Sequence, residues 1–360
     1  MEATLRGSFW AIYLYDVAHA IDLERLRVVL GAGESRRVGF RHPAPEYAGF
    51  EKAPVFEVLE PIALESGERL NRQANYYEYG VVSVKLELPF ELGWPEMVER
   101  SSRWMASAEL ERRAGQTLTD ILQQVAAALA TPYAQRLSED YYVIQLQRSD
   151  QSLTAAELIR ERGEVIGQMV RGETVPLSPE ECTEVLAARM SYYANDVAIV
   201  GWTAAVVYDS AEGAEATIQL LEYANLQLLE FRHYDGKLTE LLAGAYDLLE
   251  KKKSFLSRWR MAREAERINA IRLDLSELTE RMDASIKFLS DMFSARFYRM
   301  AAARVGVRDY RDAVEEKLRT AGNLYGYMMD EFHQGRAFVL ELTIVIILFI
   351  DLYFLFRGKS

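Results

Sequence analysis

The chain has 360 residues, 50% of them hydrophobic, and carries a formal net charge of −12 at pH 7. This length supports two domains with sizeable cores, and the negative charge argues against a general nucleic-acid surface, so we expect no DNA partner. The single cysteine, Cys182, excludes an intrachain disulfide and a multi-cysteine zinc site.

The first 210 residues predict a soluble head of mixed α/β structure. Between Val82 and Leu88, alternate apolar residues are separated by Ser83, Lys85 and Glu87, which predicts a strand with one buried face. The order of elements within Phe9–Ala108 is typical of a ferredoxin-like unit. The predicted elements are strands at Phe9–Tyr15, Val55–Leu59, Tyr76–Leu88 and Tyr141–Leu146, one or two strands in Ala194–Tyr208, and helices at Ile21–Leu30, Pro95–Ala108, Leu118–Leu137, Thr154–Met169 and Pro179–Ala188.

The rest of the chain predicts three long helices, because proline is absent from Glu212 onward and strand-like patterns end. These helices cover Gly213–Lys253, Arg258–Arg304 and Asp309–Phe356. The fold class expected is α+β, with residues 211–336 forming a coiled-coil-like stalk behind the head.

The second long helix carries an apolar stripe with alternating spacings of three and four residues. Such a stripe is typical of a packing face or of a seam between the subunits of a homo-oligomer. Its members are Ile268, Ile271, Leu275, Leu278 and Met282.

The segment 337–356 predicts a single transmembrane helix, followed by a short tail at 357–360. Fifteen of its twenty residues are Leu, Ile, Val or Phe, and about 20 residues in a helix span roughly 30 Å. Glu341 and Asp351 interrupt it toward its two ends, where intramembrane charges cost less than at the centre. The alternative is a buried core helix, because the longest uncharged run is Leu342–Ile350.

Residues 251–272, which join the first predicted long helix to the second and include its start, are rich in basic residues. If the second and third long helices pack antiparallel, residues 251–272 lie beside the membrane surface, and membrane lipid becomes a partner. A solvated basic hairpin and an RNA-binding segment are the alternatives. The residues expected at the lipid surface are Lys251, Lys252, Lys253, Arg258, Trp259 and Arg260.

Two segments carry a resemblance to a known family. Leu220–Arg232, followed by Tyr234 and Asp235, resembles a characteristic segment of the "required for meiotic nuclear division" family, also called the YagE family, and Asp196–Ser210 is similar to its closing strands. The resemblance implies a membrane-anchored homo-oligomer, whose mitochondrial relatives support translation, and hence a protein or ribosome-associated partner. Without a visible presequence or signal peptide, we expect the bacterial inner membrane, a cytoplasmic head and the tail on the far side.

Motifs for catalysis, cofactor binding or metal binding are not evident in the sequence, and we predict no enzyme activity. We expect a tail-anchored scaffold that oligomerises through its stalk and recruits a partner through its head. The alternative is a cation channel component similar in layout to CorA-type magnesium channels. In that alternative Glu341 and Asp351, about 80° apart around the helix, line the pathway.

Overall fold

The computed structural model describes residues 4–31, 54–148, 153–250, 263, 265–276 and 292–357. The chain divides into two compact units. The first, which we name the α/β unit, comprises Met1–Phe231 and Arg281–Asp309, and the second, the helical unit, comprises Arg232–Glu280 and Tyr310–Ser360. The predicted domain limits at residues 210 and 336 stay a prediction.

The described residues of the α/β unit form ten strands and helices that connect or cover them. The strands are β1 (Leu5–Asp16), β2 (Ala18–Ile21), β3 (Val55–Ala63), β4 (Arg69–Tyr76), β5 (Val81–Leu92), β6 (Leu129–Pro132), β7 (Ser138–Gln147), β8 (Arg189–Met190), β9 (Val197–Val200) and β10 (Ala204–Asp209). The helices of this unit are α1 (Leu23–Leu30), α2 (Trp94–Met105), α3 (Ala108–Val125), a 3₁₀ turn (Ala126–Ala128), α4 (Ala155–Arg171), α5 (Pro179–Ala187), the first half of α6 (Ala211–Glu250) and α8 (Met292–Arg304). The helical unit contains the second half of α6, α7 (residues 265–276) and nearly all of α9 (Val307–Arg357).

Eight strands form one mixed sheet in the order β3-β4-β5-β1-β7-β10-β9-β8, and β2 pairs with β6 separately. Strand β1 is antiparallel to both of its neighbours, β5 and β7, whereas β7 and β10 are parallel. The predicted ferredoxin-like unit is wrong, because its split βαβ arrangement needs parallel neighbours joined by a crossover helix. Here β3, β4 and β5 are consecutive antiparallel neighbours, and β5 in turn pairs antiparallel with β1.

The first face of the sheet carries the main apolar core. Phe9, Val84 and Ile144 are fully buried on neighbouring strands and belong to one cluster, together with Leu110 of α3 and Ile166 of α4. Since side chains alternate between the faces of a strand, every second residue of β1, β5 and β7 points into this core. Helices α2 and α3 contact β1, and α4 contacts β10.

Helix starts follow local capping chemistry. Thr154 accepts a hydrogen bond from the N–H of Glu157, whose carboxylate accepts from the N–H of Thr154, so a capping box begins α4. At the start of α6, the hydroxyl oxygen of Ser210 accepts from the N–H of Gly213. The predicted helix at Leu118–Leu137 is too long, because α3 ends at Val125 and the chain then enters β6.

The helical unit has its own small core. Leu241 and Leu242 of α6, Ile268 of α7 and Ala321 of α9 are buried together. An ion pair adds to this packing, since the Lys317 ammonium donates to the Asp235 carboxylate at 2.6 Å. Among the described residues, the packing of these three helices includes these apolar contacts and this partly buried ion pair.

Within the part of the chain that the structure describes, none of the helices has the length and apolar composition needed to cross a bilayer. Helix α9 covers the predicted span, but its uncharged run Leu342–Ile350 has nine residues between Glu341 and Asp351. At about 1.5 Å per residue this run measures roughly 14 Å, about half of a bilayer core. The predicted transmembrane helix at 337–356 is therefore wrong.

Three further predictions depended on that transmembrane helix and are wrong for the same reason. They are the membrane part of the fold class, the tail anchor, and the localisation in a bacterial inner membrane with the C-terminal tail on the far side. The α+β fold class is corrected to an eight-stranded mixed sheet with covering helices. The assignment of Glu341 and Asp351 as intramembrane polar residues depended on the same helix and is withdrawn with it.

Candidate functional site

Polar side chains occupy the second face of the sheet on two neighbouring strands. Strand β5 presents Ser83, Lys85 and Glu87 there, because its alternate residues fill the apolar core on the first face. The register places Asn75 of β4 opposite Ser83, and Asn71 opposite Glu87. Six polar residues therefore lie side by side on this face, with Gln73 opposite Lys85 completing the set.

A buried ion pair joins this polar face to α6. The Lys85 ammonium donates to Glu222 Oε2 at 2.9 Å, and the side chains of Lys85 and Glu222 are 8% and 0% exposed. The Asn75 amide donates to both oxygens of the same carboxylate, at 2.8 and 3.1 Å. Burial of a charge costs several kcal/mol unless it is paired and hydrogen-bonded, and here one carboxylate receives three hydrogen bonds.

Two buried tyrosines lie near the Glu222 carboxylate of this pair. The rings of Tyr77 and Tyr223 lie 5.5 Å apart in an edge-to-face contact. Burial, followed by the neighbouring Glu222 carboxylate, raises the pKa of Tyr77 well above its ordinary value. Burial is also the main cause that raises the pKa of Tyr223, so both phenols stay protonated at neutral pH.

A second hydrogen-bonded group lies next to the ion pair on the same face. Glu87 accepts from the Ser8 hydroxyl at 2.6 Å and from the Asn71 amide at 3.1 Å. Toward β7, the other neighbour of β1 in the sheet, the Trp10 indole N–H donates to Gln145 Oε1 at 3.1 Å. These bonds fix the rotamers of five side chains from four adjacent strands.

The two groups line a cleft with a volume of about 520 Å³ between the sheet and the first turns of α6. Its size falls within the range of ligand pockets, roughly 300–1,000 Å³. The lining residues are Gly7, Ser8, Trp10, Pro54, Val55, Phe56, Val58, Gln73, Asn75, Lys85, Glu87, Pro89, Gln145, Gln147, Ala211, Glu215, Ile218 and Gln219.

The polar groups of the cleft include donors and acceptors that can bind a ligand. Lys85 lines the cleft and is held by Glu222, so its ammonium serves as a structural donor. Glu87 already accepts two hydrogen bonds and keeps lone pairs for further donors. We therefore read the cleft as a preorganised set of carboxylate and amide groups that can hold a polar ligand.

The predicted seam residues that the structure describes do not line the cleft. Lys251, Lys252, Lys253, Arg258, Trp259 and Arg260 lie outside the described residues, as do Leu278 and Met282 of the predicted seam. Of the remaining seam residues, Ile268 and Leu275 are buried, and Ile271 packs against the core of the helical unit. Glu341 is exposed on α9, far in sequence from the cleft.

The sequence contains a signal for the buried pair. Glu222 lies four residues after Ile218 and four before Leu226, and both are buried, so it is an acid on an apolar face of a helix. The same stretch of α6 also buries Asn225, and it buries Gln227, which accepts a hydrogen bond from the Tyr298 hydroxyl. A run of polar residues with buried neighbours points to partners on the facing element, which here are strands β4 and β5 and helix α8.

Comparison with known proteins places most of the α/β unit in a protein family. A family model described as "Uncharacterized protein MJ0711, N-terminal domain" matches residues 6–215. The uncharacterized protein MJ0711 of Methanocaldococcus jannaschii is 18% identical over 194 residues, which cover 54% of this chain and 59% of that relative. No solved structure matches the chain. The resemblance to the YagE family stays a prediction beside these findings.

Proposed function

The chain belongs to the family of the MJ0711 N-terminal domain, and on this premise we propose that it is a non-enzymatic assembly protein. In this proposal the helical unit binds a second copy of the chain, and the α/β unit recruits a partner. The chain spans 59% of the length of the relative it matches, so the proposal concerns this chain alone.

The observation that carries the proposal is the exposed apolar surface at the end of α9. Single exposed apolar residues are ordinary, but a contiguous patch of this kind marks an interaction site on a protein surface. The large exposed apolar residues are Leu340, Leu342, Ile344, Val345, Ile346, Ile347, Leu348, Phe349, Ile350, Leu352, Tyr353 and Phe354.

One stripe of this surface faces away from the charge at Glu341. At about 100° per residue, Ile350 lies about 180° around the helix from Glu341. Ile347, Ile350 and Phe354 follow spacings of three and four residues on that side, which is the pattern of a helix that packs along another helix. Two copies of α9 can therefore join these stripes while the Glu341 side chains point outward.

The apolar area is large enough to hold two copies together. Full burial of one Val, Leu, Ile or Phe side chain contributes about 1.5–3 kcal/mol. The stripe residues are about half exposed, so covering the three of each copy in a dimer contributes about 4.5–9 kcal/mol before the costs of association. A symmetric pair is also the commonest arrangement of identical subunits.

The mass of the purified full-length protein at micromolar concentration tests this proposal. We expect two or more copies per particle, and we expect the double variant Ile347→Asn/Ile350→Asn to shift the particle to a single copy. The matched control is Val345→Asn/Leu348→Asn, which changes the Glu341 side of the same exposed helix and leaves the stripe intact. A wild-type protein with one copy per particle, or equal effects of the two double variants, would contradict the proposal.

The partner of the α/β unit is the second part of the proposal. The resemblance to the YagE family, carried by Leu220–Arg232, supports a ribosome-associated partner. Co-sedimentation of the purified chain with purified ribosomes tests this part, and a chain that stays in the supernatant removes it. The cation-channel alternative needs α9 to cross a membrane and is not retained.

A further inference from the structure

We propose that the cleft of the α/β unit binds a small organic cation, in which one or more ammonium groups donate hydrogen bonds to its carboxylate and amide oxygens. This inference is independent of self-association, because the cleft is lined by residues of β1, β3, β4, β5, β7 and the start of α6. It rests on charge, on buried acceptors and on the aromatic lining.

The charges that line the cleft favour a positive ligand. Glu87 and Glu215 contribute two carboxylates. Among the lining residues that the structure describes, Lys85 is the basic residue, and its charge is balanced by Glu222. An ammonium group in the cleft therefore meets uncompensated negative charge, whereas a carboxylate or phosphate ligand meets repulsion.

Two buried acceptors support the same ligand chemistry. Asn75 Oδ1 and Gln219 Oε1 are buried oxygens that lack a hydrogen-bond partner among the described residues. Both side chains line the cleft, and Asn75 is 6% exposed. A buried acceptor without a partner is unfavourable. Both oxygens are covered in this structure, so a small side-chain shift admits a ligand N–H, whose hydrogen bond then removes that cost.

The orientation of Asn75 is fixed by the buried pair. Its amide nitrogen donates to both oxygens of Glu222, so Oδ1 remains the acceptor end of the side chain. Glu87 is likewise held by Ser8 and Asn71. The acceptors are therefore preorganised, which lowers the entropy cost of binding.

Aromatic rings complete the lining. Trp10 of β1 and Phe56 of β3 both line the cleft, and strands β5 and β4 lie between them in the sheet. The Lys85 ammonium already lies 6.0 Å from the centroid of the Phe56 ring, within the range of a cation–π contact. Organic cations with apolar stems suit a site that combines rings with carboxylates.

Isothermal titration calorimetry on the full-length protein tests the inference with three probes of similar length. The probes are 1,4-diaminobutane, which carries two ammonium groups, 1,4-butanediol, which is neutral, and butanedioate, which is negative. We expect the diamine to bind at least about tenfold more tightly than the other two, since charge-assisted hydrogen bonds are the stronger ones. No heat of binding for the diamine at millimolar concentration, or equal binding of the diol, would overturn the inference.

Two variants locate the binding and one controls for surface charge. Glu87→Gln and Glu215→Gln each remove one lining charge with little change of shape, and each is expected to weaken diamine binding several-fold. Glu215 is exposed at the rim, so its variant folds even if Glu87→Gln does not. The control is Glu212→Gln, three residues earlier on α6 and outside the lining. Wild-type affinity in both lining variants, or an equal loss in the control, would place the diamine elsewhere and contradict the proposed site.

Discussion

Glu222 and Lys85 are 137 positions apart in the sequence, and their charged atoms lie 2.9 Å apart in the interior of the α/β unit. The pair fastens α6 to strand β5 and holds Lys85, which lines the cleft. Since Asn75 binds the same carboxylate, three elements meet at one charged group. The stability of the unit and the geometry of the cleft therefore depend on the same contact.

Lys85→Met is expected to destabilise the α/β unit by about 3–5 kcal/mol, because it leaves the Glu222 carboxylate buried without its counter-charge. Urea unfolding followed by tryptophan fluorescence measures this loss, since Trp10, Trp94, Trp104 and Trp202 all lie in the unit. The double variant Lys85→Met/Glu222→Met is expected to regain most of it.

The control for this prediction is an exposed pair between β1 and β5. Arg6 and Glu91 also form an ion pair, at 3.0 Å, but their side chains are 71% and 56% exposed. Arg6→Met is expected to change the free energy of unfolding by less than about 1 kcal/mol. Equal losses for Lys85→Met and Arg6→Met would show that burial of the pair carries no weight.

Gly7→Ala is expected to destabilise the α/β unit by about 3 kcal/mol or more, or to prevent folding. A Cβ at Gly7 falls 1.8 Å from the backbone oxygen of Gln145, and a backbone atom within the sheet cannot move aside cheaply. Gly7 and Gln145 both line the cleft, so the close approach of β1 and β7 is part of its wall. Urea unfolding measures the loss.

The matched glycine control is Gly115 in α3, where a Cβ meets nothing within 4 Å. Gly115→Ala is expected to stabilise the unit by about 0.5–1 kcal/mol, because glycine is a poor helix former. A loss of stability at Gly115 similar to that at Gly7 would contradict the steric argument.

The sequence predicts the apolar face of strand β5, but it does not predict that the polar face of this strand is buried as well. The alternation from Val82 to Leu88 predicts strand β5, and the strand is present. Ser83 and Lys85 are residue types that usually face water, and the pattern therefore predicts one buried face. Their burial depends on α6, which is distant in sequence, so no local pattern of β5 records it.

Helix propensity misleads where a tertiary contact decides the structure. The stretch from Leu118 to Leu137 contains many good helix formers, yet residues Leu129–Pro132 pair with β2. Strand pairing acts here together with Pro132, since proline inside a helix costs about 3 kcal/mol, and the two outweigh the helix propensity of the neighbouring residues. The ferredoxin-like expectation failed for a related reason, since element order alone does not fix the order of strands in a sheet.

Ile268→Ala is expected to destabilise the helical unit by about 2–4 kcal/mol, because it opens a cavity in a small core. Ile268 is 2% exposed and packs with Leu241 and Ala321. The control is Leu273→Ala on the same helix, where the side chain is 62% exposed and the expected change is within about 0.5 kcal/mol. Hydrogen exchange of the α6, α7 and α9 amides measures both changes, and equal protection in the two variants would contradict the assigned core.

Alkaline pH is expected to unfold the α/β unit earlier than its carboxylates and amines alone would predict. Burial raises the pKa of Tyr13 to about 12, whereas tyrosine in an unfolded chain ionises at about 10. The unfolded chain therefore loses protons first, so the stabilising contribution is complete below about pH 10 and declines as pH rises toward about 12. Urea unfolding at pH 8, 9, 10 and 11 measures this decline.

The variant Tyr141→Phe tests the same cause at another buried phenol, which donates to the Gly201 carbonyl at 3.0 Å. It should lower the free energy of unfolding at pH 8 but make that free energy fall less steeply at alkaline pH. A free energy of unfolding that stays constant to pH 11 would show that these phenols ionise without unfolding the protein.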